Sequence, residues 1–227
     1  MVLVSYAHNF IFVKTHKTAS TSVEMYFEPF CSPPEHVVDI TTAVRVSDHG
    51  IVGSRNIKFE ELPYWEGHAG ARKIKEGLPQ DVWDNSLKIT TCRNPFTRAV
   101  SKFFFRMRLG LVPVLLSKSE IAQAFRDFVH SEKFKSDFFR VHINKRFVID
   151  HIVRYETLSQ YLENLADQLG LDKSRTSLPH ARDNRAARDG WSLADLYDIA
   201  AVDRVRQVDA WVFEHCGYSS DLKEAVL

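Results

Sequence analysis

Four consecutive strand-forming apolar residues, Phe10-Ile11-Phe12-Val13, run straight into a loop of small and hydroxyl-bearing residues, Lys14-Thr15-His16-Lys17-Thr18-Ala19-Ser20-Thr21-Ser22. An unbroken apolar run between polar flanks suits a strand buried on both faces, as in a parallel sheet. Val23, Met25, Tyr26 and Phe27 then predict a helix that opens near Ser20 and ends before Pro29. Strand, polar loop and helix in that order turn backbone N–H groups and the positive end of a helix dipole toward one point, a place for an anion. The stretch Met1–Phe12 has no basic start and no cleavage site, so it reads as a strand leading into the loop, not as a signal peptide.

The same layout recurs. Leu87–Thr91 is a second buried-strand candidate ending at Cys92-Arg93, and Asn94-Pro95 begins a helix with Phe96, Val100, Phe103, Phe104 and Met107 at helical spacing. Further helices are expected at Ile121–Val129, led by Ser119 as cap, and at Leu158–Leu169 between Thr157 and Gly170. The last helices run from Ser192 to about His215. Ile149–Val153 gives a third strand, and Val37–Ile40 and Ile51–Gly53 are weaker candidates. The alternation predicts an α/β protein with a mostly parallel central sheet flanked by helices.

A chain of 227 residues, 44% hydrophobic, can bury a substantial core without metal or disulfide staples. No Pro-, Gly- or Ser-rich linker divides it, so one domain over 1–227 is expected. The formal net charge of +1 gives no overall reason to expect nucleic acid or an anionic membrane as partner, so neither is expected, and no apolar run reaches the length of a membrane span. Cys31, Cys92 and Cys216 are odd in number and far apart, which reads as reduced, packed thiols of a soluble, cytoplasmic protein.

The loop lacks the glycine pattern G-x-x-x-x-G-K of a Walker P-loop. Its small residues still let the backbone approach a phosphate, with hydroxyls from Thr18, Thr21 and Ser22 and a mobile charge from Lys17. Ser and Thr also cap helices without any ligand, so the loop alone does not decide the matter. Arg93 adds weight, because it sits at the C-terminal end of a strand, where open α/β sheets collect ligands. Ser101 follows eight residues later, about two helical turns on, and a guanidinium with a hydroxyl suits one phosphate group. A nucleotide kinase or NTPase would place a metal-binding acid after the second strand, where this chain has Arg93. A non-catalytic nucleotide-binding module is the third option.

Together, Lys17-Thr18-Ala19-Ser20-Thr21-Ser22 and Arg93-Asn94-Pro95 with Ser101 resemble the two donor-binding motifs of the sulfotransferases that use PAPS, 3′-phosphoadenosine 5′-phosphosulfate. The likeness is closest to the carbohydrate branch that includes heparan sulfate 2-O-sulfotransferase, although His16 stands where that family has proline. It extends to His151–Leu158 and to Leu178-Pro179-His180. The resemblance implies a P-loop-kinase-like fold, PAPS as donor, PAP as product and no metal. It assigns Lys17, Thr18, Ala19, Ser20, Thr21 and Ser22 to the 5′-phosphosulfate, and Arg93 with Ser101 to the 3′-phosphate. Arg182, Asn184 and Arg185 are expected to close over the nucleotide.

The acceptor would be a carbohydrate or another hydroxyl-bearing molecule. Lys17 would neutralise charge on the departing phosphate, and a general base would take the acceptor's proton. Trp65-Glu66-Gly67-His68 resembles the family's His-Gly-His segment, which leaves His68 or Glu66 as base, with His16 beside the donor loop as a rival. Arg55, Lys58, Arg72 and Lys73 are candidates for a basic acceptor groove, and Tyr64 and Trp65 for stacking on a sugar ring. Compactness and the lack of a membrane stem lead to the expectation of a bacterial enzyme.

Overall fold

A computed structural model of the chain describes residues 2–57, 65–112, 117–179 and 190–226. The chain divides into two compact units, Met1–Cys92 with Asp137–Arg182, and Arg93–Ser136 with Asp183–Leu227.

The first unit holds strands β1 (Val2–Ser5), β2 (Phe10–Val13), β3 (Arg45–Ser47), β4 (Gly50–Val52) and β5 (Leu87–Cys92). Helices α1 (Ser20–Phe27), α2 (Ala71–Gly77) and α3 (Gln80–Asn85) lie between them in sequence. After the second unit's α4 (Pro95–Arg108) and α5 (Lys118–His130) come the short α6 (Phe138–Val141), the hairpin β6 (His142–Ile143) and β7 (Arg146–Phe147), then β8 (His151–Arg154) and α7 (Leu158–Gln168). The remaining helices, α8 (Leu193–Leu196), α9 (Ile199–Val208) and α10 (Ala210–His215), belong to the second unit.

The main sheet has six strands in the order β3-β4-β1-β2-β5-β8. Only β2–β5 and β5–β8 are parallel; β1–β2, β1–β4 and β3–β4 are antiparallel. The sheet is therefore mixed, which corrects the expectation of a mostly parallel one. The reason is local. Residues 6–9, with Asn9 at a φ of 49°, reverse the chain between β1 and β2, and so short a link permits only antiparallel pairing. Gly50 lets β4 lie against β1, since a Cβ there would come within 2.0 Å of the Val4 carbonyl oxygen. The longer β2-to-β5 connection carries α1 and so supplies the crossover that parallel strands need.

Leu3, Phe10, Phe12 and Ile89 of the sheet pack with Val23 and Phe27 of α1 and Leu162 and Leu165 of α7. Phe27 meets Phe10 with ring centroids 5.1 Å apart, so α1 is anchored directly beneath the strand that leads into the polar loop. Each such side chain contributes about 1.5–3 kcal/mol by leaving water. The second strand prediction, Leu87–Thr91, is realised as β5, and the third falls two residues later, as β8. Val37–Ile40 forms no strand, and Val37 is 80% exposed; the Asp39 carbonyl instead accepts from the Arg55 guanidinium. Thr157 offers α7 no side-chain cap, while Gly170 adopts the left-handed φ of 63° just beyond its end.

In the second unit, α4, α5, α8 and α9 share a core that includes Phe96, Phe103, Phe125, Phe128, Leu196 and Val205. The Asn94 side chain caps α4 by accepting from the Phe96 and Thr97 N–H groups. Helix α5 is capped by Ser117 in a reciprocal box with Glu120, not by Ser119. A buried ion pair joins Arg98 to Asp209. All three cysteines are buried and unbridged. No helix among the described residues is long and apolar enough to cross a membrane.

Candidate functional site

The loop between β2 and α1 is braced from within. Thr15 Oγ1 donates to the Thr91 carbonyl at 2.5 Å, and the Thr18 hydroxyl shares hydrogen bonds with Thr15 Oγ1 at 2.9 Å and Thr91 Oγ1 at 2.7 Å. The Ser20 hydroxyl donates to the Thr15 carbonyl at 2.7 Å. These contacts pin the loop to the C-terminal end of β5. They also engage the Thr18 and Ser20 hydroxyls inside the protein, so those two residues can serve an anion chiefly through their backbone. Lys14 extends beneath the loop, where its Nζ pairs with Glu24 at 2.6 Å and lies 3.3 Å from Thr21 Oγ1. Both members of that pair are buried, and each compensates a charge that would otherwise be costly to enclose.

Lys17 and Ala19 both adopt left-handed backbone, with φ of 63° and 58°. For residues carrying a Cβ this costs on the order of 1–3 kcal/mol each, and such strain gathers where a ligand or reaction requires it. Helix α1 starts with no side-chain cap and no acid in its first turn, although Ser and Thr surround it. Side chains cap α4, α5, α8 and α9, whereas α2, α3, α6, α7 and α10 also start without one, so it is the left-handed Lys17 and Ala19 just before it that set α1 apart. The first N–H groups of a helix lack i−4 partners, so the start of α1 can offer donors and a positive dipole end. The Ser22 N–H already donates to the Ala19 carbonyl at 2.9 Å, and the nearby Glu24 carboxylate is neutralised by Lys14.

Beside this loop stands a pair of histidines. His16 and His68 stack with ring centroids 4.1 Å apart and planes 18° from parallel. Asp137, just before α6, grips His16 twice: its Oδ2 accepts from the His16 backbone N–H at 2.8 Å, and its Oδ1 meets His16 Nδ1 at 2.6 Å. Arg140 Nε also donates to Oδ1, at 3.0 Å. His68 is held to the same corner through Gly70, where a Cβ would sit 2.9 Å from the Phe139 carbonyl oxygen. Its Nδ1 is enclosed and finds no hydrogen-bond partner among the described residues. Burial, followed by the charges of His16, Lys14 and Arg140, pushes the His68 pKa down to about 2, so the ring is neutral at ordinary pH.

Other expected residues fall elsewhere. The Glu66 carboxylate pairs with Lys73 Nζ at 2.7 Å on the surface, each side chain about half exposed, and does not orient His68. Arg72 donates to Asn144 Oδ1 at 2.5 Å, also at the surface. Arg55 cannot line an acceptor groove: its side chain is 1% exposed and its guanidinium pairs with buried Glu28 at 2.6 Å. Trp65 is 6% exposed, which gives it a core role in place of sugar stacking. Lys58, Tyr64, His180, Arg182, Asn184 and Arg185 lie outside the described residues.

Arg93 and Ser101 belong to the second unit and are both buried. Arg93 follows β5 directly in the chain, and its Nε donates to Thr97 Oγ1 at 2.9 Å on the first turn of α4. Ser101 lies on the same helix. Sequence reasoning missed Asp137, Thr91 and Glu24. Glu24 falls inside the predicted first helix, but Asp137 is 121 residues from His16 and carries no local mark of its task. Comparison of the chain with protein-family models, curated proteins and solved structures gave no match.

Proposed function

We propose that the chain is a PAPS-dependent sulfotransferase of P-loop-kinase-like fold that moves a sulfuryl group to an acceptor hydroxyl, most fittingly on a carbohydrate. The observation that carries this reading is the uncapped start of α1, preceded by left-handed Lys17 and Ala19 at the end of a parallel strand. That arrangement suits the 5′-phosphosulfate: backbone N–H groups of Thr18 through Thr21 donate to its oxygens, while Lys17 supplies the neutralising charge. Arg93 and Ser101, by their likeness to the second donor motif, take the 3′-phosphate.

In the transfer, the acceptor oxygen attacks sulfur in line with the bridging oxygen of the phosphosulfate. The new O–S bond forms as the old S–O bond breaks, and the bond's electron pair leaves on the 5′-phosphate of PAP. Lys17 stabilises that growing charge, an interaction stronger in the transition state than before it. The acceptor proton passes to the histidine pair beside the loop.

Titration calorimetry tests the reading with PAP, against ATP and magnesium. PAP is expected to bind and ATP not to compete. Lys17→Ala and Arg93→Ala are each expected to weaken PAP by about tenfold or more, the loss of a charge-assisted hydrogen bond. Preference for ATP with magnesium would instead favour a kinase or NTPase.

A further inference from the structure

Two histidines compete for the proton, and the contacts of Asp137 separate them. A carboxylate oxygen is an acceptor only, so the 2.6 Å contact at His16 Nδ1 places the ring hydrogen there. The lone pair of the neutral ring is then on Nε2. The second oxygen of Asp137 holds the His16 backbone, which fixes the ring's origin as well as its tautomer. Arg140 Nε donates to that same Oδ1 at 3.0 Å and steadies the carboxylate. Asp137 is itself nearly enclosed, with its side chain 4% exposed, whereas that of His16 is 33% exposed and open to a partner. His68 has the opposite character. Its Nδ1 is shut away, and its face is occupied by His16.

We propose that Asp137 is a positioning residue that fixes His16 as the proton acceptor, with His68 serving as the flat, uncharged wall against which the His16 ring is held. The assignment rests on the sulfotransferase reading above. In the transfer step, the acceptor hydroxyl's hydrogen moves to His16 Nε2 as its oxygen bonds to sulfur, giving an imidazolium that Asp137 stabilises through Nδ1. Among the described residues, the groups around His16 are Lys14, ion-paired with Glu24, and Lys17 of its own loop, Asp137 and Arg140 at α6, and His68 in front of α2. Asp137 is the carboxylate in direct contact with the His16 ring, so it favours the protonated ring that the reaction creates. The departing phosphate restores balance by accepting the opposite charge beside Lys17.

The test is nitrogen-detected NMR of the imidazole rings in the full chain, with His16 assigned by the signal lost in His16→Gln. In the unsubstituted chain His16 is expected as the Nδ1–H tautomer. In Asp137→Asn that tautomer is expected to be lost, with Asp137→Glu restoring part of it. An Nε2–H tautomer in the unsubstituted chain, or an unchanged one in Asp137→Asn, overturns the role of Asp137. The first of these needs no variant, so a misfolded substitution does not spoil the test. A parallel titration of the unsubstituted chain with PAP keeps the two ideas apart. Failure of PAP to bind removes the transfer role together with the donor reading, while an Nδ1–H His16 would still leave Asp137 in control of the tautomer.

Discussion

A histidine enclosed beside a second imidazole, a buried lysine and an arginine is stabilised only as the neutral ring. His68 is in that situation, with burial the largest cause and the neighbouring charges next. The unfolded chain would protonate it near its ordinary value of 6.5, whereas the folded ring resists until about pH 2. Above the unfolded value both states are neutral and the contribution to stability is complete. As pH falls below it, the unfolded chain takes up a proton that the fold excludes, and stability declines by up to about 1.4 kcal/mol per pH unit. Urea unfolding at pH 7 and pH 5 is expected to show this acid-side loss in the unsubstituted chain and a shallower one in His68→Phe; equal losses would contradict it. At this scale Lys17 and both histidines were legible in the sequence, because charge and imidazole beside a hydroxyl-rich loop stand out chemically. Asp137 was not, since its task depends on a contact made only when distant parts of the chain fold together. The hydroxyls of Thr18 and Ser20 were legible as polar, but sequence could not show that they turn inward to Thr15 and Thr91.

Among elements, the strand–loop–helix pairs were the clearest. The continuous apolar run Phe10–Val13 and the strand-forming Leu87–Cys92 end in polar residues, and α1 and α4 begin where Ser20 and Pro95 predict. Asn94 is expected to contribute about 1 kcal/mol as the cap of α4, so Asn94→Ala should lower the free energy of unfolding by about that amount, read as a lower urea midpoint. No shift would mean that the two accepted N–H groups find other partners. The antiparallel half of the sheet was hidden. An apolar Met1–Phe12 read as one strand is two, because the chain reverses at residues 6–9. Val37-Val38 has strand-forming side chains but no apolar face to cover; Val37 stays exposed and Val38 half-buried, while Arg55 and Glu28 organise the chain around them from inside. Buried polar networks of that kind leave little imprint on a pattern of apolar and polar residues.

At the scale of the whole molecule, the chain passes between its two units at Cys92–Arg93, Ser136–Asp137 and Arg182–Asp183. No shift of composition marks these points, since each unit supplies its own apolar core and polar surface. Two of them abut residues that matter to the proposed chemistry, Arg93 and Asp137. With a net charge of +1 the chain offers an anion no strong overall field, so the proposed donor binding rests on the local arrangement at the end of β2. The proposed donor carries phosphate at both ends of its nucleoside, so the position of each phosphate is the most direct evidence available. Diffraction from crystals grown with PAP should place the 5′-phosphate against the first turn of α1, within hydrogen-bonding distance of the backbone from Thr18 to Thr21, and the 3′-phosphate on Arg93 and Ser101. A nucleotide bound elsewhere, or a loop left empty at saturating PAP, would contradict the account.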